Sequence, residues 1–239
     1  MRMIIVVTAL QVCTGFQNVS EASAIPSSDR SREAVGRTKM RIENQLAAKG
    51  LRWGDGLFLR VFKDEAVIEA WMMKQGGQYE LYKSFPICRF SGGLGPKLKT
   101  GDGKTPEGFY GLRSGSFNPY SAYHLSLNIG FPNKYDRHHG RTGRFLMIHG
   151  DCVSIGCLAM TDNGIEEIYA LVEAAVAAGQ FEVPLHIFPF RLDRFTLFRY
   201  LRFDSFGFWR ELRDGYRYFE DHRRPPQIDV RDGRYVILD

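Results

Sequence analysis

The sequence predicts a mainly β, α+β fold: a β-sheet or sandwich domain over residues 51–190, one helix packed on it, and an α-rich extension over residues 191–239. Three observations carry this prediction. Leu57-Phe58-Leu59-Arg60-Val61-Phe62 and Ala66-Val67-Ile68-Glu69-Ala70-Trp71 are short β-type runs parted by the polar Lys63-Asp64-Glu65, the pattern of a hairpin. Gly, Pro, Asn and Asp recur from Ser91 to Gly143 between short apolar pieces such as residues 124–129, which reads as strands joined by structured loops. Beyond Cys157 the period changes to that of a helix, with Ile165, Ile168, Val172, Ala175 and Val176 on one face.

The N-terminus opens with the positive Met1-Arg2, an apolar run from Met3 to Cys13 and the small residues Ala22-Ser23-Ala24. This predicts a secretory signal peptide over residues 1–24, because the apolar run is far shorter than the roughly 20 residues that span a bilayer. A lipid-modified Cys13 is the lesser reading, since the preceding Val12 is bulky. The expected location is therefore the periplasm or cell envelope. Cleavage after Ala24 leaves Cys88, Cys152 and Cys157, an odd number for an oxidising compartment, which points to cysteine chemistry and away from a disulfide scaffold. The net charge of +5 supports attraction to anionic envelope polymers only weakly, and no nucleic-acid partner is expected.

Residues 25–37, rich in Ser, Arg and Glu, read as a solvated linker, with a short helix over residues 40–51. Residues 79–87 add a third strand. Asn163 is the expected cap of the helix after Cys157, with Glu166 three residues on and Gly179 closing it. In the tail, arginines alternate with Phe195, Phe198, Tyr200, Phe203, Phe206, Phe208 and Trp209, the composition of an amphipathic segment that packs its rings and solvates its charges.

The stretch from Met147 to Met160 carries the chemistry. A cysteine becomes a nucleophile when an imidazole takes its proton, and His149 and Cys157 are natural partners. Gly156 lets a carbonyl approach the backbone, where the N–H groups of Gly156 and Cys157 could hold an oxyanion. Ile148-His149-Gly150 followed by Ser154-Ile155-Gly156-Cys157 resembles the L,D-transpeptidase signature, a histidine before [ST]-x-G-C. Here the cysteine follows the histidine by only eight positions and Ile155 stands where a second histidine is usual, a compact form similar to the YafK-like branch of the YkuD-type family. Residues 100–108 (TGDGKTPEG), Phe131-Pro132-Asn133, Arg141-Thr142-Gly143 and residues 186–190 (HIFPF) agree with that branch, so the likeness runs from about Leu51 to Phe190.

The resemblance implies the L,D-transpeptidase fold and acyl transfer without metal or organic cofactor. Cys157 would be the nucleophile and His149 its base, with Gly156 and Ser154 shaping the oxyanion site. The implied substrate is a peptidoglycan stem peptide, attacked at the carbonyl of the diaminopimelate L-centre, and the acceptor an amine, that of an envelope protein included. Rival readings are hydrolysis that releases wall-linked lipoprotein, and a non-catalytic wall-binding module. The loops over residues 95–108 and 133–143 are the expected walls of the acceptor site, with Lys104 and Arg141 placed to meet stem carboxylates.

Other patterns dissolve on inspection. Gly103-Lys104-Thr105 is followed by Pro106 and lacks the first glycine of a phosphate loop. His149, Cys152 and Cys157 could ligate zinc only with a fourth ligand from Asp151, His138 or His139, at a spacing that matches no standard finger. A Cys152–Cys157 disulfide would be a resting or inactivated form. His138 and His139 read as exposed loop residues, His186 as a core or edge histidine, and Cys88 as a buried small hydrophobe.

Overall fold

A computed structural model describes residues 24–238, so the expected signal segment, apart from Ala24, lies outside the described residues. One short 3-10 turn aside, the elements are α1 (Asp29–Ala47), β1 (Leu57–Phe62), β2 (Val67–Met73), β3 (Tyr79–Pro86), β4 (Gly108–Leu112), β5 (Phe117–Asn118), β6 (Ser126–Asn128), α2 (Lys134–His138), β7 (Met147–His149), β8 (Leu158–Ala159), α3 (Asp162–Ala177), β9 (Val183–Phe188), α4 (Arg194–Phe198), α5 (Phe206–His222), β10 (Gln227–Arg231) and β11 (Arg234–Leu238). A five-stranded sheet runs β3-β2-β1-β9-β4, a four-stranded sheet runs β5-β6-β7-β8, and β10 and β11 pair as a hairpin. The α+β architecture and the β1–β2 hairpin are as the sequence predicts, although helix outweighs strand and the fold is not mainly β.

Every residue of β1 is buried because the large sheet is covered on both faces. Leu57, Leu59 and Val61 join the main core with Ile165, Ile168 and Val172 of α3, while Phe62 joins a second core with Trp209, Leu212 and Tyr216 of α5. Arg60 projects into the α5 side. Its guanidinium pairs with Glu220 at 2.8 Å through Nη1 and lies within 5.0 Å of the Phe62, Tyr216 and Phe219 rings, which offsets part of the penalty of burying its charge. His186 is held between Phe58 and Phe109, each 4.7 Å away, and burial pushes it well below the ordinary histidine value. It is the core histidine the sequence suggests.

Several elements differ from expectation. The helix expected from residue 40 begins far earlier: residues 29–47 form one 19-residue helix, opened by a Ser28–Ser31 capping box within the stretch read as a linker. Its buried stripe is Ser31, Ala34, Thr38, Ile42 and Leu46, a helical spacing written largely in small or polar residues and therefore easily read as solvated. Arg41 reaches Glu167 of α3 at 2.9 Å and Arg37 pairs with Glu166, so two carboxylates in the first turns of α3 clamp α1 in place. The cap of α3 is Thr161, whose Oγ1 accepts the Gly164 N–H at 3.1 Å, and Asn163 falls inside the helix. The tail adds the β10–β11 hairpin to its helices, turning at Asp232-Gly233.

Cys88 is no isolated hydrophobe: it is bonded to Cys152, with the α-carbons 5.2 Å apart. The Cys152–Cys157 bridge does not form, and among the described residues Cys157 is the free thiol. The bond closes a span of 64 residues, which restricts the unfolded chain. Paired Cys88→Ser and Cys152→Ser substitutions are therefore expected to cost roughly 2–4 kcal/mol. Urea unfolding of the double variant against the oxidised parent checks this, and matching midpoints would show the bond to be energetically idle.

Candidate active site

His149 ends β7 and Cys157 immediately precedes β8, and these two strands run side by side. Ile148 lies opposite Leu158 and His149 opposite Ala159, so Cys157, one residue ahead of β8, falls beside the start of β7. The Cys157 Sγ is 3.7 Å from the Phe145 carbonyl. Burial pushes its thiol up, while the Met147 N–H and the Lys97 charge favour the thiolate and counter part of that rise. His149 is 2% exposed, and the Tyr123 ring lies over it at 4.7 Å. Its Nδ1 is 2.7 Å from the Gly150 carbonyl. A carbonyl only accepts, so Nδ1 carries the proton and Nε2 presents a lone pair, the form a general base needs.

Burial, opposed by the Gly150 hydrogen bond and the Asp151 charge, sets His149 below its ordinary value of 6.5. The imidazole thus stays unprotonated into mildly acidic solution, and the rate of Cys157 alkylation is expected to lose its acid limb at a midpoint below 6.5. A midpoint at or above that value would move the base elsewhere.

The loop between the two residues is fixed from both sides. A β-carbon on Gly150 would lie 2.4 Å from Asp162 Oδ1, and that oxygen accepts the Asp151 N–H at 2.9 Å, so the start of α3 grips the loop. The Cys88–Cys152 bond holds its middle, where Asp151 and Cys152 both adopt positive φ. Gly156, at φ +105°, is in a conformation that other residues rarely adopt. Ser154 Oγ donates to the Cys157 carbonyl at 2.7 Å, and Thr105 Oγ1 approaches the same oxygen at 3.4 Å. The N–H groups of Gly156 and Cys157 make no hydrogen bond among the described residues, which leaves them free for a developing oxyanion.

Residues 95–105 form the facing wall. Burial works to raise Asp102, but the Lys97 hydrogen bond at 2.6 Å and the N–H groups of Lys104, Lys99 and Leu98 together bring its carboxyl down to about 2. Beneath this turn lies a pair with no counterpart in the sequence reading. The fully buried Lys63 Nζ donates to the carbonyls of Gly95 and Thr105 and to Glu107 Oε1, at 3.1, 3.0 and 2.9 Å. Glu107 also accepts the Gly95 N–H at 2.7 Å and the Trp209 indole N–H at 2.7 Å. One carboxylate thereby ties the wall of the site to β1 and to the C-terminal helix α5.

Residues 66–185 match the catalytic-domain family of the L,D-transpeptidases, YkuD. The chain belongs to that family. It is 47% identical over 184 residues to YafK of Escherichia coli (strain K12), whose name places it among the L,D-transpeptidases, covering 77% of this chain and 74% of YafK; the Escherichia coli O157:H7 protein matches equally. Among solved structures, the helical cell shape determining protein Pgp2 from Campylobacter jejuni aligns with a TM-score of 0.46 at 19% identity, covering 81% of each chain. Bd1075 of Bdellovibrio bacteriovorus aligns at 0.42 and 19%, covering 70% of this chain and 56% of its own. The assignment therefore rests on the family match and on YafK, and it places the chain in a family of peptidoglycan-modifying proteins.

Within this L,D-transpeptidase domain the remaining candidate residues separate. Lys104 makes no ion pair among the described residues, and its carbonyl would lie 3.4 Å from a β-carbon on Gly156, so it borders the nucleophile loop. Arg141 does not meet the expectation of a free substrate-binding cation. It is 8% exposed, bonded to the buried Asp136 at 2.8 Å and laid over Tyr135 and Phe208, which commits it to the fold. His139 is bonded to the Gly233 carbonyl at 2.8 Å and His138 packs against that glycine, so both hold the β10–β11 hairpin. With Cys152 in a disulfide, His149, Cys152 and Cys157 form no ligand set. A cavity of about 920 Å³ between β4 and the β10–β11 hairpin is lined by Phe109, His186 and Tyr235 and contains neither His149 nor Cys157.

Proposed function

We propose that this L,D-transpeptidase-family protein is a murein L,D-transpeptidase working through a Cys157 thioester. The observation that carries the reading is a thiol that is free among the described residues, Cys157, at the head of β8, beside the strand that carries the buried His149 imidazole, whose Nδ1 is committed to Gly150 and whose Nε2 is the candidate base. His149 takes the thiol proton as Sγ attacks the carbonyl of the diaminopimelate L-centre in a stem peptide. The N–H groups of Gly156 and Cys157 would hold the tetrahedral oxyanion, and Ser154 keeps the turn that presents them. When the oxyanion collapses, the C–N bond breaks and the leaving amine takes the proton from His149. A second amine, deprotonated by His149, then attacks the thioester and restores the thiol. Lys104 is the side chain best placed to meet a stem carboxylate.

The Cys88–Cys152 bond fits work in an oxidising compartment and supports export to the envelope. An amine acceptor must be held close to the thioester to outcompete water, since orientation supplies much of its advantage. The test uses a defined tetrapeptide donor with increasing amine acceptor, alongside a protein-linked muropeptide as substrate. Crosslinked product that grows with acceptor supports transfer. Hydrolytic product at saturating acceptor, with cleavage of the linked substrate, would assign the protein to the amidases, and no acyl-enzyme with either would leave a wall-binding module.

A further inference from the structure

The segment that joins β9 to α5 presents an unusual surface. Leu192 and Leu197 are buried and Tyr200 stacks on Phe190 at 4.2 Å, so one side of the segment is seated firmly on the second core. The other side exposes Phe195 at 84%, Phe198 at 58%, Leu201 at 51% and Phe203 at 49%. Each of these has an exposed arginine beside it: Arg194 next to Phe195, Arg199 next to Phe198, and Arg202 between Leu201 and Phe203. None of the three arginines is in an ion pair among the described residues. Asp193, the nearest acid on the N-terminal side, is spent on capping α4 through Thr196 and Phe195.

We infer that residues 194–203 form a docking surface for an anionic phospholipid bilayer, entered from the water side. Rings that stand clear of the surface and alternate with unpaired guanidinium groups fit the boundary between headgroups and acyl chains, where the apolar tips sink and the cations meet phosphate. No helix of the described residues is long and apolar enough to cross a membrane, so the contact is peripheral. A second copy of the chain fits this face poorly. A two-fold contact would set Arg194, Arg199 and Arg202 against the same arginines, and like charges brought together oppose association.

The placement bears on the candidate active site. A β-carbon on Gly95 would lie 3.0 Å from Ser205 Oγ and 3.2 Å from Lys104 Nζ, so the chain leaving the patch abuts the wall of that site. A bilayer bound at residues 194–203 would therefore fix the orientation of the site relative to the membrane.

The test places a reporter in the patch of the full chain: Phe198→Trp, mixed with vesicles of phosphatidylcholine and phosphatidylglycerol carrying brominated acyl chains. Phe181→Trp is the control, also exposed but ahead of the opposite end of β9. Quenching confined to Phe198→Trp is expected, weakening by about a hundredfold in apparent affinity when Arg194, Arg199 and Arg202 are all changed to Gln or when phosphatidylglycerol is left out. Because the reporter is local, attachment through any other segment does not imitate this result. An unquenched Phe198→Trp, or equal quenching at both positions, would overturn the inference. So would a dimer in solution that Phe195→Ser with Phe198→Ser dissociates, since the patch would then belong to a second copy.

Discussion

Cys157→Ala is expected to abolish the acyl-enzyme altogether, leaving no mass shift when the protein is incubated with a tetrapeptide donor or a carbapenem. The expectation follows from the cysteine inventory. Among the described cysteines, Cys88 and Cys152 are bonded to each other, and Cys157 alone carries a thiol. No other nucleophile lies behind the glycine that opens the site to a carbonyl. His149→Ala should leave the thiol in place but slow its acylation by about 10²–10⁴-fold, the usual worth of a positioned base. The two variants separate the roles, because one removes the bond-forming atom and the other only the proton acceptor. Peptide mapping of the adduct decides the matter: modification at Cys88 or Cys152 would overturn the assignment, and undiminished acylation of His149→Ala would move the base to another group.

The parts of the fold that were legible in the sequence are those whose pattern is local. β1 and β2 announce themselves as apolar runs split by Lys63-Asp64-Glu65, and α3 by the spacing of Ile165, Ile168 and Val172. His149 and Cys157 were singled out from a similarly local motif, and the structure sets one at the end of β7 and the other just ahead of the adjacent β8. What could not be read depends on partners far along the chain. Cys152 finds Cys88 across 64 residues, and Arg141 finds a buried carboxylate whose burial no local pattern reveals. The first half of α1 was missed because its inward stripe carries Ser31, Ala34 and Thr38, small or polar residues that read as solvated and that Arg37 and Arg41 help to seat through Glu166 and Glu167. Tyr123 left no signal at all, because its contact with His149 comes from a loop whose path is set by tertiary packing.

Glu107 shows the same limit from the side of function, and its removal is the second large effect expected. The residue stands within Thr105-Pro106-Glu107-Gly108, yet the sequence does not disclose that Lys63, Gly95 and Trp209 all bond to it. Burial pushes the Lys63 ammonium down and Glu107 draws it back up, so the carboxylate is what allows a cation in that place. Glu107→Ala would leave a buried ammonium without its counter-charge and two N–H donors without an acceptor, at an expected cost of roughly 3–5 kcal/mol. Trp209→Phe removes one of those hydrogen bonds and should cost only about 1 kcal/mol. Combining Lys63→Met with Glu107→Leu should cost less than the sum of the single changes, because an apolar pair leaves neither charge stranded. Urea unfolding of these five variants, the two single changes Lys63→Met and Glu107→Leu included, measures these differences. The same proteins also report on the site, because Lys63 holds the Gly95 and Thr105 carbonyls and Thr105 Oγ1 leans on the Cys157 backbone. If the wall transmits its order to the nucleophile, Glu107→Ala should slow Cys157 acylation under conditions where the variant is still folded, and the apolar pair should restore stability more fully than acylation. Equal recovery of both would mean that the buried pair serves stability alone and that the wall keeps its shape without it.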